Sequence, residues 1–129
     1  MNTLYPAKFI KLNFGRETEA VERYGNACSY FRREFALPGK KVVKAELMAT
    51  AIGVFKAYIN GLEADGDYMS PGFTDYRKRI PWCRYDITDK LQKNNAVVLV
   101  AGDGWAVGYM GNSMYRRNYY RDVYVCAKI

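Results

Sequence analysis

The sequence predicts an all-β domain, and three observations carry that prediction. Turn-forming residues recur at short intervals, at Pro38-Gly39, Gly53, Asn60-Gly61, Pro71-Gly72, Asn94-Asn95, Gly102 to Gly104 and Gly111-Asn112. The runs between them are short, and several alternate between apolar and polar residues. No helical pattern longer than two turns is present. Such spacing fits a β-sandwich or a barrel. With 129 residues, half of them hydrophobic, the chain suits one domain over residues 1–129 with a core of its own.

The elements follow in order. Residues 8–14 suit pairing at a sheet edge. In residues 30–35, Phe31, Arg33 and Phe35 share one face, and Tyr30, Arg32 and Glu34 the other. In the next run Val43, Ala45, Leu47 and Ala49 oppose Val42, Lys44, Glu46 and Met48. Residues 54–59 form a strand leading into Asn60-Gly61, the dipeptide that tolerates positive φ in a two-residue hairpin. Residues 86–91 read as one helical turn capped by Asp86 or Thr88. Residues 96–101 are apolar without interruption, as expected of a strand covered on both faces. Residues 123–129 alternate weakly and complete the set.

Composition narrows the chemistry. The chain has no histidine, which removes the commonest general base and metal ligand and every Ser-His or Cys-His pair. Cys28, Cys83 and Cys126 are odd in number and far apart, without the spacing of a zinc site or a redox pair. Three buried thiols are expected. The net charge of +7 is scattered over Arg32-Arg33, Lys40-Lys41, residues 77–79 and Arg116-Arg117, with carboxylates interspersed, and reads as a solvated basic surface. The first ten residues lack a basic stretch followed by an apolar one, and no apolar run is long enough to span a membrane. A soluble chain without a membrane partner is expected, of undecided compartment.

Read in order, a series of motifs resembles the N-terminal domain of bacterial α-L-rhamnosidases. They are Tyr30-Phe31-Arg32-Arg33-Glu34-Phe35, Thr50-Ala51-Ile52-Gly53, Tyr58-Ile59-Asn60-Gly61, the run from Pro71-Gly72-Phe73 through Arg79, Tyr85-Asp86-Ile87-Thr88-Asp89, Asn95-Ala96 and Gly102-Asp103-Gly104-Trp105. The resemblance implies a jelly-roll β-sandwich similar to galactose-binding-like carbohydrate modules. It also implies a larger parent enzyme whose catalytic carboxylates lie in a helical barrel that this chain lacks. Phe73 stands where the family usually has tryptophan, and Ala106 follows Trp105 where another aromatic is expected. Family members continue with a further hairpin beyond residue 129, so the chain is either a fragment or a short relative.

These readings place a carbohydrate-recognition or substrate-positioning role ahead of a purely structural brace for the barrel. The Asp103–Trp105 loop follows the apolar strand. Its glycines allow close backbone approach, Asp103 offers acceptors for sugar hydroxyls, and the Trp105 indole offers a face for a pyranose. The competing reading is a tight turn in which Asp103 bonds local backbone and Trp105 closes the core. Asn60, beyond its turn role, and Asp67 are the accompanying candidates for contacting a rhamnose-containing glycan. Asp65 and Asp67 are candidate calcium ligands. Asp75 is expected to hold its turn or pair with Arg77 or Arg79. Two carboxylates suffice for glycoside hydrolysis, but nothing places Asp65, Asp67, Asp75 and Asp103 at a productive separation, so no catalytic residue is assigned. The stretch 115–121, where tyrosine and arginine interleave, is the basis of a lesser nucleic-acid alternative. The wider segment 109–121 is expected to be a mobile or partner-contacting loop.

Overall fold

The computed structural model describes residues 7–12, 27–39, 41–110 and 119–129. Among them the chain forms β1 (Ser29–Ala36), β2 (Glu46–Ile52), β3 (Val54–Ile59), β4 (Leu62–Glu63), β5 (Cys83–Asp86), a 3₁₀ turn (Thr88–Lys90), β6 (Asn94–Gly102), a four-residue helix α1 (Gly104–Val107) and β7 (Tyr124–Lys128). They make two antiparallel sheets, one ordered β1-β6-β3-β4 and the other β5-β2-β7. The expected all-β sandwich is present.

The alternation read from the sequence positions the core. Leu47, Ala49 and Ala51 of β2 face Phe55, Ala57 and Ile59 of β3 and Leu99 and Ala101 of β6, with Tyr85, Ile87 and Val125 completing the cluster. Leu47, Ile59 and Ile87 are fully buried, each worth roughly 1.5–3 kcal/mol relative to exposure. Strand β2 starts at Glu46 rather than Val42, and both its faces are buried. Its outer face is covered in part by residues 76–81, where the Thr50 hydroxyl donates to the Pro81 carbonyl. Tyr76 packs there against Ile52, Ala106 and Val107 in a second cluster.

Asn60 and Gly61 take φ of 53° and 84°, so the hairpin β3–β4 turns as expected. Asp86 organises the 3₁₀ turn, its Oδ1 accepting from both the N–H (3.0 Å) and the hydroxyl (2.6 Å) of Thr88. Ile10 forms an isolated bridge with Val125, which bears out pairing near the start of the chain.

Two expectations are corrected. The β6 strand is buried on one face only. Leu99 and Ala101 point into the core while Val98 and Val100 are half-buried on the outer face, because that sheet has no second layer there among the described residues. The three thiols are free, but only Cys126 is buried; Cys83 is half-buried and Cys28 exposed.

Candidate functional site

At one end of the sandwich the β2–β3 turn and the loop after β6 interlock. Gly53 has φ +133°, and a Cβ on it would collide with the Gly102 carbonyl oxygen. Gly104 has φ +51°, and a Cβ there would lie 2.6 Å from Val54 Cγ1 and 3.0 Å from Gly53 carbonyl carbon. Two glycines from distant motifs therefore permit one backbone to lie against the other. The interlock leads directly into α1, where the Val107 N–H donates to the Asp103 carbonyl at 3.2 Å and Gly108 to Gly104 at 2.9 Å.

Trp105 leaves this frame half-buried. One side packs on the second cluster, beside Ile52, Tyr76, Ala106 and Val107. Phe73 meets it edge-to-face, with centroids 6.1 Å apart and planes at 76°. Phe73 is 58% exposed, so the pair shows aromatic surface to solvent on a fixed backbone. Trp105 thus helps close the second cluster and also borders an exposed aromatic patch. Phe73 was missed as a site residue because sequence alone marked it only as a departure from the family's tryptophan. Tyr76 sits behind the patch, its hydroxyl donating to the Gly72 carbonyl at 3.1 Å. Burial, with Tyr119 close by, raises its phenol above the ordinary value, so it stays neutral.

The structure does not bring Asn60 to this end. Asn60 follows Ile59, which pairs with Val97, whereas Val54 pairs with Gly102. About six residues of strand, roughly 20 Å, separate it from Asp103. Its side chain is committed to the fold. Nδ2 donates to the Lys90 carbonyl (2.8 Å) and Asn95 Oδ1 (2.9 Å), and Oδ1 accepts from the Ala96 N–H (2.9 Å).

Asp65 and Asp67 lie on the strip that returns along β3, between Glu63 and the bridge from Ser70 to Phe55. Asp65 Oδ1 accepts the Asp67 N–H at 3.1 Å, a local turn. Among the described residues no third histidine, cysteine or acidic side chain joins Asp65 and Asp67. Asp75 pairs with Arg77, Nε to Oδ1 at 2.9 Å, and that guanidinium holds its carboxyl below the ordinary range. Arg79 instead donates from Nε to Thr74 Oγ1 at 3.1 Å.

Most of the expected loop at 109–121, and the core of the stretch behind the nucleic-acid alternative, lie outside the described residues. At its margins Tyr109 is exposed, while the Tyr119 and Tyr120 N–H groups both donate to the Ala106 carbonyl. The ring of Tyr119 meets that of Tyr76 at 5.4 Å.

Comparison with known proteins decides the family. Residues 40–129 match the family model described as the α-L-rhamnosidase N-terminal domain. The chain belongs to that family. The domain is 41% identical over 92 residues to an α-L-rhamnosidase of Streptomyces avermitilis, covering 70% of this chain and 9% of that protein. A second relative, an α-L-rhamnosidase of Formosa agariphila, is 37% identical over 94 residues, 72% of this chain and 10% of that protein. The domain thus spans about a tenth of the length of these curated relatives. In structure it resembles the S. avermitilis α-L-rhamnosidase complexed with L-rhamnose, with TM-score 0.73 and 37% identity over 76% of this chain and 10% of that one. It also resembles the native enzyme of Aspergillus terreus, with TM-score 0.81 and 29% identity over 96% of this chain and 14% of that one.

Proposed function

We propose that this domain is a non-catalytic module of an α-L-rhamnosidase, which holds rhamnose-containing glycans at its Phe73–Trp105 end and positions them for a catalytic domain of the same enzyme. The observation that carries the reading is the exposed edge-to-face pair on the interlocked glycine frame. Apolar faces of a deoxysugar are recognised by aromatic side chains, and such recognition costs least when those side chains are already fixed. Asp103, at the start of α1, supplies acceptors for hydroxyls beside them. The structural relative that was solved with L-rhamnose supports rhamnose as the sugar to try first.

Titration of the labelled chain with methyl α-L-rhamnoside, followed by NMR, tests this. Shifts should centre on Phe73 and residues 102–105. Removing an aromatic anchor typically weakens binding about thirtyfold or more, so Trp105→Ala should abolish a weak interaction. Because Trp105 also packs on Ile52 and Ala106, Phe73→Ala provides the cleaner loss in a folded protein. Undiminished binding by folded Phe73→Ala and Trp105→Ala chains would refute the site.

A bracing role draws on a different observation. The outer face of the β1-β6-β3 sheet carries half-buried Val98 and Val100, with Tyr30 69% exposed opposite Val100. A neighbouring domain would cover that stripe, and charge substitution at Val98 would then weaken assembly without touching sugar binding.

A further inference from the structure

A cleft lined by none of the candidate sugar-contacting residues opens on the outer side of the β5-β2-β7 sheet. It measures about 300 Å³ and is lined by Phe9, Thr50, Tyr76, Ile80 and the consecutive cations Arg77, Lys78 and Arg79. Its apolar wall comes from Phe9, Tyr76 and Ile80, and its rim is cationic. We infer that this cleft is a second saccharide site, selective for a sugar that carries a carboxylate.

The charges decide the class of ligand. One carboxylate, Asp75, serves both Arg77 and Lys78, at 2.9 and 3.9 Å. Arg77 is further occupied by the Tyr119 ring, 5.4 Å from its guanidinium carbon. Arg79 has no carboxylate partner among the described residues, yet it is held in place. Its Nε is spent on the hydroxyl of Thr74, which is buried. That bond leaves the two terminal amino groups as a preorganised fork, the geometry that matches a carboxylate with paired N–H donors. Lys78, 82% exposed and only distantly paired, adds a mobile positive charge beside it. An inorganic anion would use the rim but not the apolar wall. A pyranose acid uses both, its C–H face against Phe9 and Ile80 and its carboxylate at Arg79. The size of the cleft suits one monosaccharide unit rather than a chain segment. Family membership supplies the expectation that the ligand is a glycan; the lining residues differ from Phe73 and Trp105, so this site stands or falls separately from the rhamnose site.

The experiment compares methyl glucuronoside with its neutral counterpart, methyl glucoside, by NMR titration of the full chain in moderate salt. The glucuronoside should bind in the millimolar range, with shifts confined to Phe9, Thr50 and residues 76–80. The glucoside should bind at least tenfold more weakly. Arg79→Gln should lower glucuronoside affinity about tenfold, as loss of a charge-assisted hydrogen-bonded pair does, and Thr74→Val should lower it by releasing the fork. Since Arg79 is exposed, its replacement leaves the fold unchanged by circular dichroism. Equal binding of the two sugars overturns the proposal, as does unchanged affinity in Arg79→Gln. So does a response to duplex DNA or inorganic sulfate at these residues as strong as that to glucuronoside, which would mark a general anion surface.

Discussion

At the scale of single residues, the fold depends most sharply on groups with no chemistry to offer a ligand. Gly104→Ala would combine left-handed backbone with a Cβ 2.6 Å from Val54 Cγ1, and Gly53→Ala would drive a methyl into the Gly102 carbonyl. Each substitution should cost about 2–4 kcal/mol, from backbone strain plus overpacking. Gly61 also has positive φ, +84°, but open space around it, so Gly61→Ala should cost only about 1 kcal/mol. Urea unfolding of the three variants checks the order, and a Gly61→Ala loss as large as the others would contradict it. Asn60→Ala removes three side-chain hydrogen bonds at the far end of the sandwich and should cost about 2–3 kcal/mol, with rhamnoside binding unchanged. Asn60 shows where sequence reading stops. Its turn role follows from Asn-Gly alone, but its bonds to Lys90 and Asn95 depend on pairing β3 with β6, which no local pattern specifies.

At the scale of elements, strands were readable wherever period-two alternation met turn residues. The β2 register followed from Leu47 and Ala49, and the β3–β4 hairpin from Asn60-Gly61. Coverage was not readable. The apolar run in β6 was expected to be buried on both faces, but Val98 and Val100 are only half-covered, because burial depends on a second layer that the run itself cannot encode. The pairing of Phe73 with Trp105 was not readable either, because the two lie 32 positions apart along the chain. The short connection after β5 gives a pH-dependent test. Hydrogen bonds from Thr88 hold the Asp86 carboxyl below the ordinary value, which is about 3.9. A depressed folded pKa contributes stability above the unfolded value and loses it as pH falls through the folded one. The stability gap between the parent chain and Asp86→Asn should therefore be full at pH 6 and close progressively as pH falls below the ordinary carboxyl value of about 3.9. Thermal melts across that window measure it, and a gap constant down to pH 2 would remove the carboxylate from the account.

At the scale of the whole molecule, the proposed non-catalytic role makes a prediction about the chain's own acidic residues. Histidine is absent from the sequence, Asp75 is paired with Arg77, and Asp65 and Asp67 lie on a separate strip. The purified chain at high concentration should leave an aryl α-L-rhamnoside intact. Turnover that co-purifies with the chain and disappears on substituting one of its aspartates would overturn the non-catalytic assignment.

Both sheets are closed by strands distant in sequence. The β1 strand waits for β6, which ends at Gly102, and β2 waits for β7, which ends at Lys128. Among the described residues, only the β3–β4 hairpin forms from neighbouring strands. Loop closure must therefore precede most of the gain from burial, and folding on the millisecond-to-second scale of other sandwiches is expected. During synthesis, a chain elongated as far as α1 can assemble the four-stranded sheet and pair β5 with one edge of β2, but the other edge of β2 still has no strand beside it. That edge stays unpaired until β7, residues 124–128, leaves the ribosome, which makes this interval the point where misassembly competes with folding.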